Sequence, residues 1–206
     1  MILLAALVAG LLVGMVWALS RGRPYQPPKL NHLWLVFVAF LPQFIVIYLA
    51  KGDFPDWLVA GCLLTSQVLL LGFAWINRHS LGMTILIIGV FLNLVVMASN
   101  GGFMPISPQT ASLLVSQEIL LDIQPGNRIG PKDILLHPQD THFEWLADRF
   151  LTPAWFPYRV AFSIGDVFLA LGVFWLLAKP ESTIKFMNRG KYDSSIDISR
   201  YTTNKS

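Results

Sequence analysis

Asp166 lies in Ser163-Ile164-Gly165-Asp166, near the start of an apolar run from Val160 to Ala178 that is long enough to cross a bilayer. A carboxylate in hydrocarbon costs roughly 2.5–3.5 kcal/mol by insertion scales, so such an acid calls for a partner or a water-filled cavity. Two amides share its expected depth. Asn93 stands seven residues before Asn100, which closes the run Leu81 to Ser99, and Gln43 stands eight before Lys51, past the run Leu33 to Leu49. At 1.5 Å per residue all three fall about 10–12 Å below one membrane boundary, Asp166 being counted from Arg159. Gln43, Asn93 and Asp166, with Asn100 above them, can converge on an outward-facing polar pocket for a ligand, a cation or a proton. They can equally hydrogen-bond one another and lock the bundle, at roughly 0.6 kcal/mol per interhelical bond.

Other chemistry is weakly signalled. His137, Asp140, His142 and Glu144 put possible metal ligands close together, but Thr141 and Glu144 fit a helix-capping pattern and no HExxH or CxxC spacing is present. The single Cys62 lies in an apolar run and offers neither an intrachain disulfide nor a thiolate cluster. No nucleophile elbow, Walker loop or dinucleotide fingerprint occurs. None of the histidines lies in a predicted span, so no imidazole pair is in place for haem or a chlorophyll-type pigment. No catalytic residue and no resident cofactor is therefore expected, and a bound lipid, quinone or pigment would sit at a shared interface.

The elements that must position these residues are membrane helices. With 54% hydrophobic and 13% charged residues and a mean hydropathy of +0.57, the composition is that of an integral membrane protein. The net charge of +3 and pI near 9.1 come from short flanking segments, which argues for orientation in a bilayer and against a nucleic-acid partner. An all-α polytopic bundle of about five spans is predicted, at residues 1–19, 33–49, 57–76, 81–99 and 160–178, within a membrane domain over 1–180. No Lys or Arg precedes the first run, so it reads as a retained helix rather than a signal peptide, with Gly10 and Gly14 as a close-packing pair. Pro42 predicts a kink in the second helix. Gly61, Thr65, Val68 and Gly72 form a small-residue stripe on the third, while Gly82, Gly89 and Asn93 share a face of the fourth and turn Asn93 inward.

Residues 100–158 form a long loop rich in Pro, Gly and acids, which calls for a function or a fold of its own. Asn100-Gly101-Gly102 is a turn, and Phe103-Met104-Pro105-Ile106 is apolar enough to dip back toward the bilayer. Ser107-Pro108 predicts the start of a short helix over Gln109 to Gln117. Thr141-His142-Phe143-Glu144 has capping-box form, and Phe143, Leu146, Ala147 and Phe150 continue at helical spacing, so an interfacial helix is predicted there. Trp145, Trp155, Phe156 and Tyr158 are expected at headgroup level. The tail over 181–206 is polar and aperiodic, and by composition mobile. Arg21, Arg23, Lys29, Arg78, Lys179, Lys185, Arg189 and Lys191 outnumber Lys51, Arg128, Lys132, Arg149 and Arg159 on the opposite side. The N-terminus and long loop are therefore expected outside and the C-terminus in the cytoplasm.

Asn100-Gly101-Gly102-Phe103-Met104-Pro105, the stretch from Asp140-Thr141 to Leu146-Ala147-Asp148, and Ser163-Ile164-Gly165-Asp166, in that order, resemble a bacterial integral-membrane family known as domain of unknown function 5317. The likeness covers about the first 180 residues and is most specific at the last motif. His142 stands where that family would have Arg, which counts against a metal site, and the tail lies outside the likeness. The resemblance implies a small multi-pass protein of the bacterial cytoplasmic membrane with its motifs on one side, and supplies no activity. The reading that follows is a non-catalytic accessory subunit or binding protein, in contact with membrane lipids and other membrane subunits. A small ion- or proton-coupled carrier using Asp166 is the alternative. An outward-facing enzyme on a lipid or envelope precursor, with Asp166, Asp148 or His142 as acid or base, ranks below both.

Overall fold

The computed structural model describes residues 2–46, 54–154, 156 and 158–179. The Lys51-Gly52-Asp53 turn, the end of the second apolar run, Trp155 and the 181–206 tail lie outside the described residues. The chain is mostly helical. Three helices, α1 (Ile2–Ser20), α3 (Asp56–Ile76) and α4 (Leu81–Ser99), are long and apolar enough to cross a membrane. Two more apolar helices are shorter: α2 (Trp34–Phe44) with 11 residues and α7 (Ile164–Ala178) with 15. The helices run through stretches dominated by Leu, Val, Ala and Ile and stop where the sequence turns: α1 before Gly22 at φ +62, and α4 before Gly101 and Gly102 at φ +73 and +90. Ser80 caps α4 by accepting a bond from the Met83 amide at 3.2 Å. Pro42 sits inside α2, and the chain widens into a π turn at Ile45 and Val46, which relieves the missing proline donor.

The packing order is not the chain order. Helix α1 packs on α7, α7 on α4, α4 on α3 and α3 on α2, so the last helix inserts between the first and the fourth. Glycines permit this. A Cβ at Gly89 would lie 2.8 Å from the Gly165 carbonyl oxygen, and one at Gly82 2.9 Å from that of Gly172, so two glycine pairs with the same seven-residue spacing set α4 and α7 in antiparallel contact. Gly10 and Gly14 do the same for α1 against Phe174 and Leu177 of α7. Among the described residues, nothing lies within 4 Å of a Cβ position at Gly61 or Gly72 of α3, and the stripe they form with Thr65 and Val68 is exposed.

At one end of the helices residues 100–162 fold into a cap. Strand β1 (Met104–Ile106) pairs in parallel with β2 (Asp133–Leu135), and on its other side Ile106 bridges to Asp148. Pro105 is tolerated in this middle position because its carbonyl accepts from the Asp148 amide at 3.1 Å, and its absent N–H faces that single bridge rather than the β2 ladder. Phe103 and Met104 do dip toward the helices, as buried residues packed with Val59, Ala60, Leu63, Val96, Met97 and Leu146. Arg128 fastens the cap to α3 through an ion pair with Asp56 at 2.8 Å and a bond to the Phe54 carbonyl at 3.2 Å.

Three local expectations are corrected. Ser107 caps a helix as predicted, accepting from the Thr110 amide at 3.1 Å, but the helix is α5 (Pro108–Ala111), and a separate α6 (Gln117–Asp122) follows. The predicted helix from Phe143 to Phe150 is instead a 3-10 turn over Glu144–Leu146, preceded by Phe143 at φ +55 and followed by extended chain. Thr141 Oγ1 donates to the His137 carbonyl, the Asn100 side chain takes the His142 amide, and β1 takes the Asp148 amide, so tertiary bonds outcompete a short helix. The fifth helix starts at Ile164 rather than Val160, because β4 (Ala161–Phe162) pairs with β3 (Phe150–Leu151) and Thr152 Oγ1 accepts from the Val160 amide. The expected all-α fold therefore carries two small two-stranded sheets in its cap.

Gly89→Ala is expected to lower stability by about 1–3 kcal/mol, since backbone on α7 must move. Gly61→Ala is expected to be neutral or to stabilise by about 0.5–1 kcal/mol, as for any glycine in an open helix interior. Thermal unfolding in detergent compares the two; equal effects would contradict the glycine-set contact.

Candidate functional site

Asp166 is the third residue of α7 and its Oδ2 accepts from the Ser163 amide at 3.2 Å, while Ser163 Oγ accepts from the Asp166 amide at 3.1 Å, completing a capping box. Asn93 of α4 reaches the same point: its Nδ2 donates to Asp166 Oδ1 at 3.0 Å, and its Oδ1 accepts from Ser163 Oγ at 3.0 Å. Ser163 and Asn93 are buried, and the carboxamide fits because Gly165 has no Cβ, which would collide with Asn93 Oδ1. A first-turn acid is favoured by the unpaired amides and dipole of the helix start. The depth expected from counting down from Arg159 is thus replaced by a helix that begins at Ile164. The Ser-x-x-Asp spacing carries the same capping signature as Thr141 to Glu144, and here it is realised.

Asn93 and Asp166 are brought together, and Gln43 is not. Gln43 lies half-buried on α2, which packs on α3, and among the described residues no hydrogen bond joins it to either partner. Asn100 sits at the end of α4 and acts as a clamp. Its Nδ2 donates to the Val96 and His142 carbonyls at 2.7 and 2.9 Å, and its Oδ1 accepts from the His142 amide at 3.0 Å. Gly101 turns the chain and Gly102 lies against Ala60 of α3, where a Cβ would come within 2.5 Å of the alanine Cβ. Met104 and Pro105 are buried in β1. His137, Asp140 and His142 do not converge, and among the described residues no group of three or more His, Cys, Asp or Glu is placed to hold a metal ion.

The group that sequence reasoning missed is Lys132. Asp148 is 2% exposed, and the half-exposed Lys132 side chain reaches it with Nζ 2.6 Å from Oδ2 and 3.2 Å from Asp133 Oδ1. Asp148 Oδ1 has no hydrogen-bond partner among the described residues. Burial pushes the Asp148 carboxyl up to about 6; Lys132 opposes the rise, and Asp133 and Asp166 add to it. Burial works to lower the Lys132 ammonium, but Asp133 and Asp148 outweigh it and hold it above the ordinary lysine range. Asp166 adds to both shifts, so the capping box and the lysine form one electrostatic cluster where the cap meets α4 and α7. No spacing links Lys132 to Asp148; they meet because β2 and the residue bridged to Ile106 flank β1.

These features define a mostly helical protein with three apolar helices of spanning length, which suggests a membrane protein, and a folded cap seated on a polar cluster. The chain belongs to the family of unknown function DUF5317, whose model matches residues 28–178. The match starts after α1 and takes in α2 to α7, the cap and every residue of the cluster. Neither a curated protein nor a solved structure matches the chain.

Because Asp148 is raised in the folded state, its protonation adds stability that is full below its ordinary value of 3.8 and is lost as pH rises through about 6. Asp148→Asn should remove this component, flattening the difference in stability between pH 4.5 and pH 7 by about 2 kcal/mol. Denaturant unfolding in detergent at the two pH values measures it, and an unchanged difference would show that another group titrates. Asn100→Ala should release the His142 amide, with hydrogen exchange there faster by tenfold or more, since a lost bond of this kind is worth about 1.5 kcal/mol.

Proposed function

We propose that this chain is a non-catalytic, five-span subunit of the bacterial cytoplasmic membrane, with N-terminus and cap outside and C-terminus in the cytoplasm, that packs against another membrane protein along α3. One contrast carries the reading. Every glycine in α1, α4 and α7 is covered by a neighbouring helix, whereas among the described residues nothing covers Gly61 and Gly72 of α3, and Thr65 and Val68 continue the same exposed stripe. Small residues let helix backbones approach closely in lipid, where dispersion and interhelical bonds drive association. The polar groups fit a structural part: both oxygens of Asp166 are engaged by Asn93 and Ser163, and the Asn100 side chain is spent on the His142 backbone.

The ion- or proton-coupled carrier stands second. It is favoured by Asp148, whose buried Oδ1 is without a hydrogen-bond partner among the described residues beside a half-exposed lysine. A carrier would therefore use Asp148 and Lys132 in place of Asp166.

Photo-crosslinking residues placed at Gly61 or Gly72 in native membranes should give one discrete protein adduct, and the same residue at the exposed Phe37 or Leu4 should give lipid adducts only. Gly61→Leu should cut the Gly72 adduct at least tenfold while the protein still accumulates. Lipid adducts alone from the α3 positions would end the subunit reading.

A further inference from the structure

The end of the bundle opposite the cap carries a feature repeated on three helices. Arg21 lies over the Trp17 ring with its guanidinium carbon 4.4 Å from the centroid, Arg78 over Trp75 at 5.0 Å, and Lys179 Nζ over Trp175 at 4.7 Å. In each case the tryptophan stands in the last turn or so of the helix and the cation three or four residues on, so the side chain folds back over the ring of its own helix. The cation is also next to the carbonyl end of the helix, where positive charge is favoured, and Arg78 donates to the Trp75 carbonyl at 3.1 Å. At the fourth position around this end, Trp34 at the start of α2 meets His32 edge to face at 6.4 Å.

Among the described residues nothing at this end neutralises these charges. Arg21, Arg23, Lys29, Arg78 and Lys179 are all exposed, and the described residues of this end, 20–33, 77–80 and 178–179, include no Asp or Glu. The described acids lie at the other end, where Arg128, Lys132 and Arg149 already have ion-pair partners. Trp17, Trp34, Trp75 and Trp175 are 44, 60, 58 and 37% exposed, so their rings meet the surroundings. Exposed tryptophan belongs at the level between acyl chains and headgroups, where its apolar body and N–H are both satisfied. A cation held about 5 Å above such a ring therefore stands at phosphate level. Helices α1 and α7 are neighbours, and Tyr25 Oη donates to the Leu177 carbonyl at 3.1 Å, so Arg21 and Lys179 belong to adjoining helix ends.

We propose that this tryptophan and cation collar is a binding surface for anionic phospholipid headgroups, with Arg21, Arg78 and Lys179 as the phosphate-binding groups and Trp17, Trp75 and Trp175 holding them at headgroup depth. An exposed cation–π pair is individually weak, so its effect is to set the position of the charge. Juxtamembrane basic residues are each drawn to an anionic surface, so three held cations select anionic over neutral lipid by about tenfold or more. The surface rests on the membrane part of the proposed function and does not depend on α3 docking a partner.

The test uses the full chain purified in neutral detergent and titrated with phosphatidylglycerol or phosphatidylcholine, read by thermal unfolding and by lipid retention in native mass spectrometry. Phosphatidylglycerol is expected to bind at least tenfold tighter and to raise the unfolding midpoint by several degrees more. Arg21→Gln, Arg78→Gln and Lys179→Gln together should abolish the preference and leave the phosphatidylcholine response unchanged. Trp17→Leu, Trp75→Leu and Trp175→Leu, which keep the charges, should weaken it several-fold. Arg149→Gln with Arg159→Gln, at the cap end, should retain it. If the triple glutamine variant does not accumulate, Arg21→Gln and Lys179→Gln singly should each lose two- to threefold. Equal binding of both lipids by the unmodified chain, a preference that survives the charge variants, or an equal midpoint shift from inorganic phosphate alone would each overturn the proposal.

Discussion

The contact of α4 with α7 governs the rest of the structure. Two helices far apart in the chain approach until the backbone of one lies on the glycines of the other, at Gly82 with Gly172 and Gly89 with Gly165. That approach aligns the start of α7 with Asn93, which hydrogen-bonds Asp166 and Ser163 together. A side chain at any of the four glycines would separate the helices and break these bonds. Within lipid there is no hydrophobic drive to restore them, so close packing and polar bonds must act at the same place.

From this contact the cap inherits its position. The same α4 that carries Gly82, Gly89 and Asn93 ends at Asn100, whose side chain clamps His142, while β4 leads directly into the Ser163 cap of α7. The cap is held at both its ends by the helix pair, and its middle is fixed by β1 buried against α3 and α4. The lysine and carboxylate cluster lies at this junction, so its electrostatics report how well cap and bundle fit. Its buried Asp148 is raised toward neutrality and short of one hydrogen-bond partner among the described residues. Groups of that kind mark functional sites more often than ordinary core positions, as a matter of association.

The two ends of the bundle divide the chemistry. Among the described residues, the cap end has the acids, the folded loop and the ion-paired cations, and the opposite end has cations over tryptophan rings with no acid beside them. This division makes the two ends of the bundle chemically unlike. Between the two ends, the exposed stripe of α3 is a small-residue helix face that the described residues do not cover.

Hydropathy and charge in the sequence determined the helical runs, the long segment between the fourth and fifth, and the turn at Asn100-Gly101-Gly102, because these follow from local composition and backbone preference. The family motifs were legible for the same reason, and Asn93 could be turned inward from its spacing with Gly82 and Gly89. Tertiary structure alone decided the rest. It placed α7 between α1 and α4, left Gln43 on another helix, and turned a predicted helix at Phe143 into a clamped 3-10 turn. It also joined Lys132 to Asp148 across a strand. Pairing between distant segments leaves no period in the sequence, and where a buried hydrogen bond is available from afar it overrides a short local preference.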